Sequence, residues 1–177
     1  MVIVKDDEIV VFLDLYIETA KIGRVKIKLF DDLSPSCCEN FRQFCTGEYT
    51  FEGMPIGYKD TVFFGRTHQY LHGGDFVCGD GTGAFSIHGD TFAPTDVNDD
   101  ALVSHMEPGL LSMVNHGPAG AETPTLGCQF VLTGRPAGHL DGLGYLAIGR
   151  IVEGLQFVER ACTATDVTVR VGQCGQM

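Results

Sequence analysis

Tryptophan is absent from the 177 residues, and basic side chains are scarce, 12 Lys and Arg against 23 Asp and Glu, for a formal charge of −11. A chain this acidic repels phosphate backbones and anionic head groups, which disfavours direct nucleic acid contact or a membrane surface as its main ligand. Long apolar runs are missing too: none approaches the roughly 20 residues that a helical bilayer span requires. Met1 to Val10 carries Lys5, Asp6, Asp7 and Glu8 where a secretory leader would place a basic and then an apolar stretch, so the expected location is the cytoplasm, with the nucleus as the alternative. None of the seven cysteines, at positions 37, 38, 45, 78, 128, 162 and 174, forms the Cys-x-x-Cys pair of a zinc site. Reduced, mostly buried thiols are the expectation.

What is plentiful is apolar residue and glycine. Apolar side chains make up 44% of the chain, enough for one compact domain over residues 1–177. Glycine occurs 23 times, spread over the whole length, as a protein of short strands and tight turns requires. Arg24 to Phe30 alternates strictly, with Val25, Ile27 and Leu29 on one face and Arg24, Lys26 and Lys28 on the other, which predicts a half-buried strand. Val167 to Val171 repeats the pattern, and Val10 to Ile17 is a β-rich run ahead of a turn at Thr19-Ala20-Lys21. Further strands are expected in Gly109 to Val114, Cys128 to Thr133 and Tyr145 to Val152. Ser34-Pro35 opens a predicted helix that runs to Cys45 before Gly47, with Cys38, Phe41 and Cys45 on one face and Cys37 nearer solvent. Leu155 to Cys162 has helical spacing but is short enough to be read as a strand as well. The pattern as a whole predicts an antiparallel sheet, closed or nearly so, with two helices.

Several ordered blocks then carry a resemblance: Glu39-Asn40-Phe41-Arg42-Gln43-Phe44-Cys45-Thr46-Gly47-Glu48, Gly57-Tyr58-Lys59, Gly73-Gly74-Asp75-Phe76, Gly79-Asp80-Gly81-Thr82-Gly83, Pro108 to Asn115, Gly127-Cys128-Gln129-Phe130, Leu140-Asp141-Gly142 and Gln173-Cys174-Gly175-Gln176. In order and spacing they resemble the cyclophilins over nearly the whole chain. The stretch Phe51 to Lys59 is similar to the loop of the spliceosome-associated member. The resemblance implies an all-β dominated fold, a closed eight-stranded antiparallel β-barrel capped by two α-helices. It also implies cofactor-free peptidyl-prolyl cis-trans isomerisation of protein substrates in a groove outside the barrel, which in many members binds cyclosporin.

The chemistry asks little of the enzyme. Rotation about an Xaa-Pro bond meets a barrier of about 20 kcal/mol because amide resonance is lost, and no covalent bond breaks, so neither a metal nor a nucleophile is needed. A pocket for the proline ring, a grip on the adjacent backbone and a hydrogen bond to the prolyl nitrogen suffice, and a guanidinium suits the donor role. Arg66 is the only arginine in the matching segment Phe63-Phe64-Gly65-Arg66-Thr67-His68-Gln69-Tyr70-Leu71-His72, which is one residue shorter than the family pattern. The resemblance assigns Arg66 as catalyst, Tyr70 and Leu71 as pocket walls, His72 near the usual glutamine, and Val114, Asn115 and Gln129 as groups that hold the peptide. Departures cluster at the pocket. Val131 replaces a floor phenylalanine, His139 replaces the tryptophan ahead of Leu140-Asp141-Gly142, and the later histidine gives way to Gly144 or Tyr145. Weak catalysis and poor cyclosporin binding are expected, and the runner-up is a degenerate cyclophilin kept as a proline-peptide or protein-interaction module, in a ribonucleoprotein or chaperone assembly, as a monomer in either case.

Three further features bear on function. His68 and His72, four apart with Asp75 nearby, would make a metal site on one helical face, but the strand and turn pattern around them argues against it, so no metal is expected. Cys45 and Cys174 match positions that pair reversibly in some plant cyclophilins, so the resemblance raises a redox switch, testable by intact mass after mild oxidation. Ala119 to Leu126 makes the loop after Asn115 about five residues longer than the family's, placed to gate the groove or bind a partner.

Overall fold

The computed structural model describes residues 7–177; Met1 to Asp6, on which part of the N-terminal reading rests, lie outside them. Ten strands, β1 (Val10–Ile17), β2 (Ala20–Leu29), β3 (Thr50–Phe51), β4 (Met54–Pro55), β5 (Gly65–Arg66), β6 (Tyr70–Gly73), β7 (Leu110–Met113), β8 (Phe130–Thr133), β9 (Leu146–Glu153) and β10 (Val169–Gln176), accompany two helices, α1 (Pro35–Thr46) and α2 (Leu155–Thr163). Eight strands form one antiparallel sheet in the order β10-β1-β2-β9-β7-β8-β6-β5, and β3 and β4 form a separate hairpin. The sheet curls around its own apolar face. Its outer strands, β10 and β5, share no ladder among the described residues; the segment ahead of β5 meets β10 through a bridge at Val62 and Arg170 and bonds from Phe63 N to Val169 O (2.8 Å) and Val171 N to Thr61 O (2.8 Å). The barrel implied by the resemblance is thus present in its eight strands and two helices, as a curled sheet without a closing ladder.

The alternation read in β2 does what period 2 requires: Val25, Ile27 and Leu29 are buried while Lys26 and Lys28 reach outward. They meet Val11, Leu13 and Leu15 of β1 and the α1 residues Phe41 and Phe44 in the main core. There Tyr58 packs 5.0 Å from both Phe41 and Phe130, and its buried hydroxyl donates to Cys128 O at 2.8 Å. A buried tyrosine whose hydroxyl is satisfied contributes its full ring area to the core without an orphan polar group.

Helix α1 starts at Pro35 as predicted, but Ser34 makes no side-chain cap. The cap comes from across the fold: Asp96 accepts from Ser36 N (2.8 Å) and Ser36 Oγ (2.5 Å), placing a carboxylate against the positive end of the helix. The helix ends at Gly47, whose left-handed φ of 77° a side chain would strain. Cys37, expected nearer solvent, is fully buried with Cys38, because the buried face of α1 is broad enough to take in Cys37, Cys38, Asn40, Phe41, Phe44 and Cys45. Leu155–Thr163 is a helix, and Gly154 precedes it where a Cβ would lie 2.4 Å from Arg24 O, so only glycine lets α2 approach β2.

Candidate functional site

The outward face of β6, β7 and β8 follows from their register. Phe130 and Leu132 of β8 point into the core, so Val131 between them points out. Directly opposed residues share a face, and the pairs are Gly65 with His72, Arg66 with Leu71, Leu71 with Leu132, and His72 with Val131. His72 and Gly65 therefore lie on the face of Val131, and Leu71 and Arg66 on the opposite one.

Two sequence assignments change with this phase. Leu71 is fully buried in the main core rather than forming a wall of the outer site. Arg66 turns away from that site and donates from Nη2 to Val167 O at 3.2 Å, behind the edge of the sheet. Gly65 occupies the outward position, and a Cβ there would stand 3.2 Å from His72 Cβ. The turn between β5 and β6 is one residue shorter than the family pattern, and a one-residue change in a strand reverses every side chain.

An apolar patch outside the main core gathers Val114, Val131, Ala137 and Leu140, with Tyr70 and Tyr145 packed against them. Val131 itself has no solvent contact, so the rings of Tyr70 and Tyr145 form the surface that an incoming side chain meets. Of Gly144 and Tyr145, it is Tyr145 that packs on this patch, and burial raises its hydroxyl pKa, with Tyr70 adding to the shift. His139 is exposed at the rim, 5.9 Å from the Tyr70 ring. Ala137, which carries no motif signal, also joins this patch; it stands just ahead of His139 and the Leu140-Asp141-Gly142 block.

Beside the patch, polar groups are held in a chain. Burial alone would raise the Asp75 carboxyl, but backbone N–H groups, led by Cys78, Gly83 and Gly81, overcome it and hold the pKa down to about 2. Asp75 accepts from Cys78 N (2.8 Å), Gly81 N (2.8 Å) and Gly83 N (3.0 Å), which shapes the turn through Gly83. Gln129 then donates from Nε2 to Gly81 O (2.9 Å) and Gly83 O (2.6 Å) while its Oε1 lies 3.0 Å from His72 Nε2. Asp75, Cys78 and Asp80 come close enough together for a metal, yet both Asp75 oxygens already serve the turn, and neither His68 nor His72 joins the trio.

Asn115 works through its side chain. Its Oδ1 accepts from Gly117 N (2.9 Å) and Thr125 N (3.0 Å), pinning both ends of the long loop, and its Nδ2 donates to Leu143 O at 3.1 Å. The loop walls a cavity of about 780 Å³ next to Tyr145 together with Ala93, Val97 and Leu102. Beneath the patch, Ser112, His105 and Asp141 are bonded in line, Nε2 to Oγ and Nδ1 to Oδ1 both at 2.6 Å. This resembles a hydrolase relay, but Ser112 is fully buried, so no substrate reaches it; the relay ties the Leu140 turn to β7. Cys45 is buried and Cys174 half-buried, both reduced, and both line a second cavity of about 650 Å³ behind the sheet; burial pushes Cys174 up to about 12. Cys78 is the one exposed cysteine.

The curled eight-stranded sheet thus carries, outside its main core, an apolar patch with the Gln129 amide and the His72 ring near it. Residues 14–174 match the family described as cyclophilin type peptidyl-prolyl cis-trans isomerase/CLD, and the chain belongs to that family. It is 41% identical over 177 residues to peptidyl-prolyl cis-trans isomerase H of Rhizopus delemar, covering 95% of this chain and 94% of that protein. It is 39% identical over 163 residues to the protein of the same name from Mycosarcoma maydis, covering 88% and 98%, and 38% identical over 179 residues to peptidyl-prolyl cis-trans isomerase 11 of Caenorhabditis elegans, covering 97% and 92%.

Proposed function

We propose that this chain is a cofactor-free peptidyl-prolyl isomerase acting on Xaa-Pro segments of proteins, with slow turnover and poor cyclosporin affinity. The observation that carries the reading is the outward patch of Tyr70, Val114, Val131, Leu140 and Tyr145 beside the amide of Gln129. A proline ring packs on the two tyrosine faces, and the backbone next to it pairs with the Asn115 segment. Turnover is slow because the groove face of β5 carries Gly65 in place of a guanidinium, and loss of one well-placed donor typically costs on the order of 10²- to 10³-fold in rate. Cyclosporin binds poorly because His139 offers no indole at the rim. On this reading the chain is one domain whose curled sheet approaches a barrel, with the Val62 to Arg170 bridge in support, and the protein acts as a monomer in the cytoplasm or nucleus. A client within a ribonucleoprotein assembly is favoured by the resemblance of the Phe51 to Lys59 loop.

The test is cis-trans exchange of a capped Xaa-Pro peptide, followed by NMR with and without protein. Acceleration accompanied by shifts at Tyr70 and Tyr145 is expected, and Arg66→Ala leaves it unchanged. Binding without acceleration would make the protein a proline-peptide module, the reading that the turned-away Arg66 favours; no binding overturns both.

A further inference from the structure

An isomerase groove without a guanidinium still needs a donor where the prolyl nitrogen gathers its lone pair. The ring of His72 stands beside the space that a side chain at Gly65 would fill: a Cβ built there lies 3.2 Å from His72 Cβ and 3.7 Å from its Nδ1. Gln129 determines which ring nitrogen carries the proton. Because its Nε2 donates to both Gly81 O and Gly83 O, its oxygen is the atom that faces His72, and Nε2 of the ring must be the donor across the 3.0 Å contact. In the neutral ring Nδ1 is therefore bare. It has no protein partner among the described residues, and no fully buried side-chain nitrogen or oxygen there lacks one, so Nδ1 is in contact with solvent.

We propose that His72, once doubly protonated, is the catalytic hydrogen-bond donor of this groove, so that the isomerase activity proposed above rises on acidification. The second proton comes from solvent and must enter at Nδ1, since Nε2–H already serves Gln129; the imidazolium then presents an N–H into the gap left by Gly65. No covalent bond changes. The groups around the ring are few. Phe64, with its ring 4.5 Å away, and Val131 opposite on β8 carry no charge, Asp75 favours the cation, and His116 opposes it when protonated. Burial, the largest influence, lowers the His72 pKa below its usual value of 6.5, and the bond to Gln129 only partly restores it. The ring is thus neutral at about pH 7.5 and takes its second proton only as the pH falls below that usual value.

The experiment is NMR exchange on a capped Xaa-Pro peptide without ionisable groups, at about pH 7.5 and about pH 5.5, each referred to the uncatalysed rate at that pH, with wild type, His72→Gln and His116→Gln. Acceleration about tenfold greater at the lower pH is expected for wild type and His116→Gln. In His72→Gln, whose amide keeps the contact with Gln129, the pH response is lost while peptide-induced shifts at Tyr145 persist. Gly65→Ala supplies a second probe that leaves His72 in place: its methyl, 3.7 Å from Nδ1, cuts the acidic acceleration several-fold. A wild-type acceleration equal at both pH values, or a response retained in His72→Gln, overturns the role of His72 and leaves the isomerase reading standing. Absence of peptide-induced shifts at either pH overturns both.

Discussion

Between Gly65 and Arg66 a single peptide unit decides on which side of the sheet a positive charge stands. The double variant Gly65→Arg, His72→Gln places a guanidinium on the groove face with a glutamine beneath it. Its isomerase rate at about pH 7.5 should exceed that of wild type by at least about tenfold and be flat in pH, read by the same NMR exchange. The identity of Arg66 was legible in the sequence, but its direction was not, because direction depends on how many residues the β5 to β6 turn consumes. The same slip carried Leu71 into the pocket on paper, whereas its partner Leu132 shows it in the core. Val114, Gln129 and Leu140 sit in blocks without insertions, and the structure gathers Val114 and Leu140 into one outer patch near the Gln129 amide, while Asn115 holds the two ends of the lengthened loop.

Among the elements, the turn from Asp75 to Gly83 holds Gln129, and through it His72, in place. Asp75→Asn removes the charge that the N–H groups of this turn were arranged around. A folded pKa of about 2 against 3.8 unperturbed amounts to about 2 kcal/mol, since each unit is worth about 1.4. The shift is downward, so the contribution is complete above about pH 4 and lost as the pH falls towards 2. Denaturant midpoints should therefore decline in wild type between about pH 5 and about pH 2.5 more than in Asp75→Asn, which starts lower and changes less. The short strands β3 to β6 carry too few residues for a period to show and α2 stayed open between helix and strand, whereas the six long or central strands and α1 were legible from period and punctuation, down to Pro35 and Gly47. The device that completes α1 was not, since Asp96 lies sixty positions away in sequence from Ser36 and only tertiary structure brings them together.

Over the whole molecule, the charge of −11 gives the groove a preference that no single residue states. A Lys-containing Xaa-Pro peptide should associate faster than its neutral counterpart at low ionic strength and lose that advantage as salt approaches about 0.5 M, where the screening length falls to a few ångströms; stopped-flow association rates check this. A salt-independent difference would locate the preference in a direct contact instead. The distribution of thiols has a practical side. Six of the seven cysteines are buried or half-buried, and the seventh, Cys78, is exposed on the turn that steadies Gln129. A thiol-reactive dye added to the native protein at limiting stoichiometry will attach there first, so the molecule arrives with its own optical handle a few residues from the groove, and peptide capture can be watched by fluorescence without engineering in a label or removing the remaining sulfurs.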